Sequence, residues 1–107
     1  MEQYTVRISK EALCDMEKLY RYIAEKLKSP ENALRQYNRI ADEILTLDTF
    51  PKRYRIVEFE PERSAGLRRM LVDNYSVFYV VHEDCVIVTA VLYSASDIER
   101  HFREKEQ

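Results

Sequence analysis

The densest apolar pattern in the chain lies in two runs of its second half, residues 75–81 and 86–93. Val, Ile, Tyr and Phe dominate both runs, which is typical of β-strands. Both alternating faces of each run are apolar, so we expect both faces to be covered. The pattern predicts a β-hairpin in the middle of a sheet, with residues 67–72 as a third strand joined through Asp73 and Asn74. Strict alternation places Val88 and Val91 on opposite faces.

In the first half of the chain, apolar and polar residues first alternate over a short stretch, and apolar residues then recur with the period of an α-helix. Alternation over residues 3–8 predicts a short, half-buried strand, and Ser9 follows it as a candidate helix N-cap. Two amphipathic helices are predicted on either side of Pro30, with Ser29 as the cap of the second and Asp15 on the wetter side of the first. The apolar stripes comprise Leu13, Met16, Tyr20, Ile23 and Leu27, and then Ala33, Leu34, Tyr37, Ile40, Ala41, Ile44, Leu45 and Leu47.

Because the joint between these helices is short, we expect an antiparallel helical hairpin that covers one face of the sheet. Residues 54–59 are a candidate edge strand, which Pro61 limits. Ser96 and Glu99 have the spacing of a capping box, which predicts a final helix over residues 97–105. That helix has few apolar residues, so we expect it to dock loosely and to leave the second face of the sheet largely uncovered, for a partner protein or a second copy of the chain.

The composition is that of one globular domain, residues 1–107. Apolar residues make up 46% of the chain and charged residues 34%. We expect a cytoplasmic protein with no membrane segment, because no secretory h-region and no apolar run near the roughly 20 residues of a membrane span occur. Cys14 and Cys85 are expected to be reduced thiols. The histidines lack ligand spacing, so we predict no metal site and no cofactor.

The formal charge of −2 indicates that any contact with nucleic acid depends on a local basic patch. The densest such region gives Lys52, Arg53 and Arg55 as candidate RNA-binding residues, with Tyr93 as a candidate base-stacking residue. Cleavage of RNA needs a base, an acid and cationic stabilisation of the phosphoryl oxygens. The candidate catalytic residues are Arg68 and Arg69 for the charge and His101 for proton transfer.

The order strand, two helices, three strands, helix resembles the RelE/ParE toxins of type II toxin–antitoxin systems. Two local sequences carry the resemblance, residues 74–79 (NYSVFY) and 93–98 (YSASDI). It implies an α+β fold in which a mostly antiparallel sheet of about four strands carries the helical hairpin on one face. It also implies a cognate antitoxin as partner. Homodimerisation is the alternative when the antitoxin is absent.

The resemblance leaves the target open. It implies growth inhibition by a metal-independent mRNA cleavage that stops translation, an activity widespread in the family and the one we predict. However, RelE-type ribonucleases use an Arg near the place where Ser96 stands, and often a Tyr where Phe102 stands. They also use an Arg on the strand predicted at residues 67–72, whose nearest equivalent here is Val72 or, with a shift, Arg68 or Arg69. The alternatives are a ParE-like toxin that binds and inhibits DNA gyrase, a relative that binds an antitoxin without being toxic, and an unrelated α+β interaction domain.

Overall fold

The computed structural model describes residues 3–105, which form an α+β fold with one four-stranded sheet. Short 3₁₀ turns follow the second long helix, at Thr46–Asp48 and Pro51–Arg53. Within residues 3–105, no helix is long and apolar enough to cross a membrane. The elements are β1 (Thr5–Ile8), α1 (Lys10–Arg21) with a π-helical turn (Tyr22–Lys26), α2 (Pro30–Leu45), β2 (Arg68–Val72), β3 (Tyr75–His82), β4 (Cys85–Tyr93) and α3 (Ile98–Lys105).

The strand order in the sheet is β1-β4-β3-β2. β3 pairs antiparallel with both β2 and β4, whereas β1 runs parallel to β4. The predicted hairpin is therefore the centre of a mostly antiparallel sheet, and the predicted fold class is confirmed. The turn at Asp73, where φ is 56°, joins β2 to β3 as expected.

A β-bulge in β4 breaks the alternation that the sequence suggested. Phe78 pairs with Ala90, but the next residue, Tyr79, pairs with Val88, so Thr89 is an extra residue in β4. As a result, Val88 and Val91 both belong to the core on the helical side of the sheet. The prediction that they lie on opposite faces is wrong, because period-two alternation holds only where no residue is inserted.

The helical hairpin packs on the sheet through residues of both helices, including Met16, Ile23 and Ile40. The face of α1 that meets the sheet is rotated from the predicted stripe. Asp15 is buried, whereas Leu13 and Leu27 are exposed. On α2, Leu34 and Leu45 are exposed, although their neighbours Ala33 and Ile44 are buried. The predicted burial of these four leucines and the predicted exposure of Asp15 are wrong.

The predicted cap of α1 is confirmed, whereas two other caps differ. The Ser9 hydroxyl accepts a hydrogen bond from the Ala12 N–H at 3.1 Å. Ser29 makes no side-chain cap, and its N–H bonds instead to the Ile23 carbonyl at the end of the first helix. At α3 the cap is Asp97, whose carboxylate accepts from the Arg100 N–H at 3.2 Å, while the Ser96 hydroxyl donates to the Tyr93 carbonyl.

The second face of the sheet carries a small core of its own. Phe78 and Ala90 are buried there under Val57, Leu67 and Ile98. The ring centroid of Phe102 lies 5.2 Å from that of Phe78 and 5.7 Å from that of Phe59, and Arg103 pairs with Glu62. The expectation of a largely uncovered face is therefore wrong, because residues 57–67 and α3 together cover its centre.

Residues 54–59 do not form the edge strand that the sequence suggested. Their only strand-like pairing is a single antiparallel bridge between Ile56 and Arg68. A backbone bond from Val57 N–H to the Leu67 carbonyl, 2.9 Å long, holds the segment beside the start of β2. The chain then turns through residues 58–66, so the segment covers only one end of that strand.

Candidate functional site

Arg68 holds the backbone of the segment after α2. Its guanidinium donates to the carbonyl oxygens of Lys52, at 3.1 Å, and Tyr54, at 2.6 Å. Arg68 lies directly across from Tyr79 in the sheet, and the buried Tyr79 hydroxyl donates to the Pro51 carbonyl at 2.6 Å. Burial raises the pKa of Tyr79 to about 12, so its phenol is neutral. The Nη1 amino group of Arg68 thus helps to fix residues 52–54, and the Tyr79 hydroxyl fixes Pro51.

Arg53 has a similar structural role. Its guanidinium donates to the carbonyl oxygens of Thr49, at 2.6 Å, and Phe50, at 3.0 Å, which follow the end of α2. It also lies over the Tyr54 ring, 4.8 Å from the centroid. Lys52 is exposed and lines a separate small pocket of about 440 Å³ beside Phe50. The basic segment therefore divides between different surfaces.

Arg69 lies on the other face of the sheet, in a groove of about 970 Å³ between β2, residues 53–59 and the start of α3. We call this the arginine groove. The Arg69 Nε donates to the Ser76 hydroxyl at 2.9 Å, and the guanidinium carbon lies 5.7 Å from the Phe78 ring centroid. Ser76 is fully buried, and its hydroxyl also bonds to the Ser94 hydroxyl at 2.8 Å. This chain of contacts fixes the orientation of the Arg69 guanidinium.

The charges that line the arginine groove are balanced. Three arginines are present, Arg53, Arg55 and Arg69, together with three carboxylates. Of the latter, Asp97 caps α3. The other two carboxylates are Glu58 and Glu99, both of them exposed. A cradle for RNA phosphates normally has an excess of positive charge, which this groove lacks.

His101 lies at a different surface, a groove of about 840 Å³ between the helical hairpin and the ends of β3 and β4. We call this the tyrosine groove, because Tyr22, Tyr75 and Tyr93 line it. Tyr93 is 52% exposed, and its ring meets Tyr75 edge-on at 5.7 Å between centroids. The His101 imidazole packs edge-on against Phe102, and its Nε2 is buried without a hydrogen-bond partner among the described residues.

The Tyr75 phenol in the tyrosine groove is kept neutral. Burial raises the pKa of Tyr75, and the neighbouring phenols of Tyr93 and Tyr22 raise it further. The amides of Asn74 and Gln36 also line the groove, together with Leu27, which is 58% exposed. Aromatic, aliphatic and amide groups therefore predominate on this surface.

The seven residues singled out from the sequence do not form one site. Arg55 and Arg69 line the arginine groove, His101 and Tyr93 line the tyrosine groove, and Arg68 is used to hold the backbone. Within residues 3–105, no group of three or more His, Cys, Asp and Glu side chains is arranged to hold a metal ion.

Two parts of these grooves were missed by the sequence analysis. Ser76, which orients Arg69, is the single small polar residue in the otherwise apolar run 75–81, and that contrast was a usable signal. Tyr22 and Tyr75 come from distant parts of the chain, and no spacing in the sequence connects them.

Comparison with known proteins agrees with this architecture. The family model for the ParE toxin of the parDE type II toxin–antitoxin system matches residues 6–98. No curated protein sequence gives a significant match. A structure described as the chromosomal ParDE toxin–antitoxin system of P. aeruginosa is similar with a TM-score of 0.73 and 17% identity, over 85% of this chain and 96% of that one.

Two further structures have the same fold. The RelBE2 toxin–antitoxin complex of Mycobacterium tuberculosis matches with a TM-score of 0.67 and 21% identity, over 90% of this chain and 97% of that one. The archaeal RelE–RelB complex of Pyrococcus horikoshii matches with a TM-score of 0.56 and 17% identity, over 87% of this chain and 97% of that one. At such low identities the likeness establishes a shared fold.

Proposed function

The chain belongs to the ParE toxin family of type II toxin–antitoxin systems, and from this premise we propose that it stops growth by binding a protein target. DNA gyrase is the target that the resemblance to ParE toxins implies. A cognate antitoxin holds the toxin inactive until it is released. The geometry supports this mode of action better than the mRNA cleavage that the sequence analysis favoured.

The observation that carries the proposal is the separation of Arg68, Arg69 and His101. Cleavage of RNA requires that a proton acceptor, a proton donor and a cation surround one phosphate within hydrogen-bond reach. Here Arg69 and His101 line different grooves, and Arg68 donates to two backbone carbonyls. A toxin that acts by binding does not need these groups to converge.

The charge of the two grooves supports the same proposal. The arginine groove carries as many carboxylates as arginines, and the tyrosine groove is lined mainly by aromatic, aliphatic and amide groups. Exposed tyrosines are enriched in the energetically important centres of protein interfaces. We therefore assign the tyrosine groove as the surface that meets the target, with Tyr22, Leu27 and Tyr93 as its exposed apolar contacts.

Purified toxin added to DNA gyrase tests this proposal. We expect it to inhibit supercoiling of relaxed plasmid, and Leu27→Ala to weaken the inhibition by about tenfold, as expected for a central contact of the interface whose truncation costs about 1.4 kcal/mol. Leu45→Ala is the matched control, because Leu45 is similarly exposed, at 62% against 58%, and lies outside the tyrosine groove.

A parallel reaction with a translation extract and a labelled mRNA separates the two mechanisms. We expect the mRNA to remain intact at toxin concentrations that inhibit gyrase. Cleavage of the mRNA together with unimpaired supercoiling would refute the proposal and would establish the ribonuclease instead.

A further inference from the structure

The outer side of β2 is only partly covered. On this side Arg69 donates its backbone N–H to the Arg55 carbonyl at 3.1 Å, and the Leu67 carbonyl accepts from Val57. In an antiparallel pair, successive residues point their backbone groups alternately toward and away from the partner strand. Leu71, two residues after Arg69, therefore also directs its N–H and C=O away from β3.

Leu71 is the exposed end of this edge. Its side chain is 64% exposed, and within residues 3–105 no segment outside the sheet forms a backbone hydrogen bond with it. An uncovered strand edge is a template for pairing with another extended chain. The open donors and acceptors of β2 border the arginine groove, which Leu71 and Arg69 line together.

Arg69 offers a second, independent contact at the same place. Ser76 and Phe78 hold its guanidinium in position, as described above. Among the described residues, no carboxylate lies within ion-pair distance of it, and its two terminal amino groups bond to none of them. A guanidinium that is already oriented is well suited to bind a carboxylate through two hydrogen bonds.

We propose that an extended segment of the cognate antitoxin pairs with β2 at Leu71 and places an Asp or Glu side chain on the Arg69 guanidinium. This inference rests on the proposed function only in requiring an antitoxin. Glu58 and Glu99 line the same groove, so a segment with a basic residue beside its acidic one matches the charges of this surface. A second copy of this chain fits less well, because pairing two β2 edges would bring the arginines Arg55 and Arg69 of both copies together.

The first test is amide hydrogen exchange on the toxin, alone and with the coexpressed antitoxin encoded beside its gene. We expect exchange at Leu71 to slow by at least about tenfold in the complex, because its N–H becomes hydrogen-bonded. Unchanged exchange at Leu71 in a saturated complex would overturn the inference, and the gyrase experiment above would be unaffected by that result.

The second test separates the backbone contact from the side chain. Leu71→Pro removes the outward N–H, which a strand edge tolerates, whereas Leu71→Ala keeps it. We expect the antitoxin Kd of Leu71→Pro to be about tenfold weaker than that of Leu71→Ala, which corresponds to the loss of one hydrogen bond. Equal Kd values for the two folded variants would overturn the strand pairing.

The third test addresses the carboxylate. Arg69→Gln should weaken antitoxin binding by roughly 10- to 100-fold, as expected for loss of a charge-assisted pair, while Arg7→Gln, on the exposed side of β1, should not. Arg69→Glu should be rescued by exchanging one acidic antitoxin residue for Arg. The absence of any rescuing position across all acidic residues of the antitoxin would overturn the assignment of Arg69.

Discussion

Asp15 on α1 accepts a hydrogen bond from the backbone N–H of Val91 on β4, at 3.0 Å. The bond crosses from the helical hairpin to the sheet just after the bulge at Thr89, where the regular ladder is interrupted. Asp15 is one of two polar side chains buried among the described residues, the other being Ser76. The carboxylate thus satisfies a backbone donor near the bulge and fixes the helix against β4.

Replacement of Asp15 should therefore destabilise the fold. Asp15→Ala leaves the Val91 N–H buried without an acceptor, and we expect the free energy of unfolding to fall by about 1–3 kcal/mol. Asp15→Asn keeps an oxygen that can accept the bond, so its free energy of unfolding should fall by less than that of Asp15→Ala. Urea denaturation measures both, with Glu17→Ala on the exposed face of α1 as the control. Equal stability of Asp15→Ala and Glu17→Ala would show that the bond contributes nothing.

The cap of α3 gives a second prediction. Asp97→Ala should lower the free energy of unfolding by about 1 kcal/mol, because the Arg100 N–H loses its acceptor. Ser96→Ala should cost less, since the exposed Ser96 hydroxyl donates only to the Tyr93 carbonyl. Thermal unfolding of both variants checks the order. A larger loss in Ser96→Ala would restore Ser96 as the cap.

Tyr79 gives a prediction about pH. Its pKa is raised to about 12 in the folded protein against an ordinary value of 10.0, so between these values the folded state binds the proton more tightly than the unfolded state. The resulting stability is present below pH 10 and is lost as the pH rises to 12. Between pH 10 and pH 12 the wild type should therefore lose more free energy of unfolding than Tyr79→Phe. We expect the difference between the two losses to be about 2 kcal/mol.

The control for that comparison is Tyr93→Phe, because Tyr93 is 52% exposed whereas Tyr79 is fully buried. Urea denaturation at pH 9.5 and at pH 11.5 supplies the measurement. Parallel losses of stability in the wild type and Tyr79→Phe would mean that the buried phenol does not cause the decline.

Phe102 gives a fourth prediction, about the second face of the sheet. It contacts Phe78 and Phe59, so Phe102→Ala should destabilise the protein by about 1–3 kcal/mol and expose part of that face. Binding of a hydrophobic dye should increase in this variant and not in Leu45→Ala. If neither stability nor dye binding changes, α3 does not cover the sheet in solution.

Much of the fold could be predicted because its signals are local. The apolar runs of β3 and β4, the helical periods of α1 and α2, and the turn at Asp73 are each contained within a few residues. The bulge at Thr89 could not be predicted, since an inserted residue changes the alternation without changing the composition. The burial of Asp15 could not be predicted either, because its partner, the Val91 N–H, belongs to a strand 76 residues away in the sequence.

The site was harder to predict than the fold. Arg68 and Arg69 are consecutive residues of β2, so their side chains lie on opposite faces of the sheet. What the sequence does not show is the use of each side chain. Arg68 donates through Nη1 to the backbone carbonyls of residues 52 and 54, whereas Arg69 donates through Nε to Ser76 and faces the arginine groove, and only the tertiary structure distinguishes these two roles.

The most direct test of the proposed mode of action is the superhelical density of a reporter plasmid after the toxin is induced in cells without its antitoxin. If gyrase is the target, the plasmid should become relaxed before growth stops, and coexpressed antitoxin should prevent the relaxation. A plasmid that keeps its normal negative supercoiling while growth stops would contradict the proposal that this toxin inhibits gyrase.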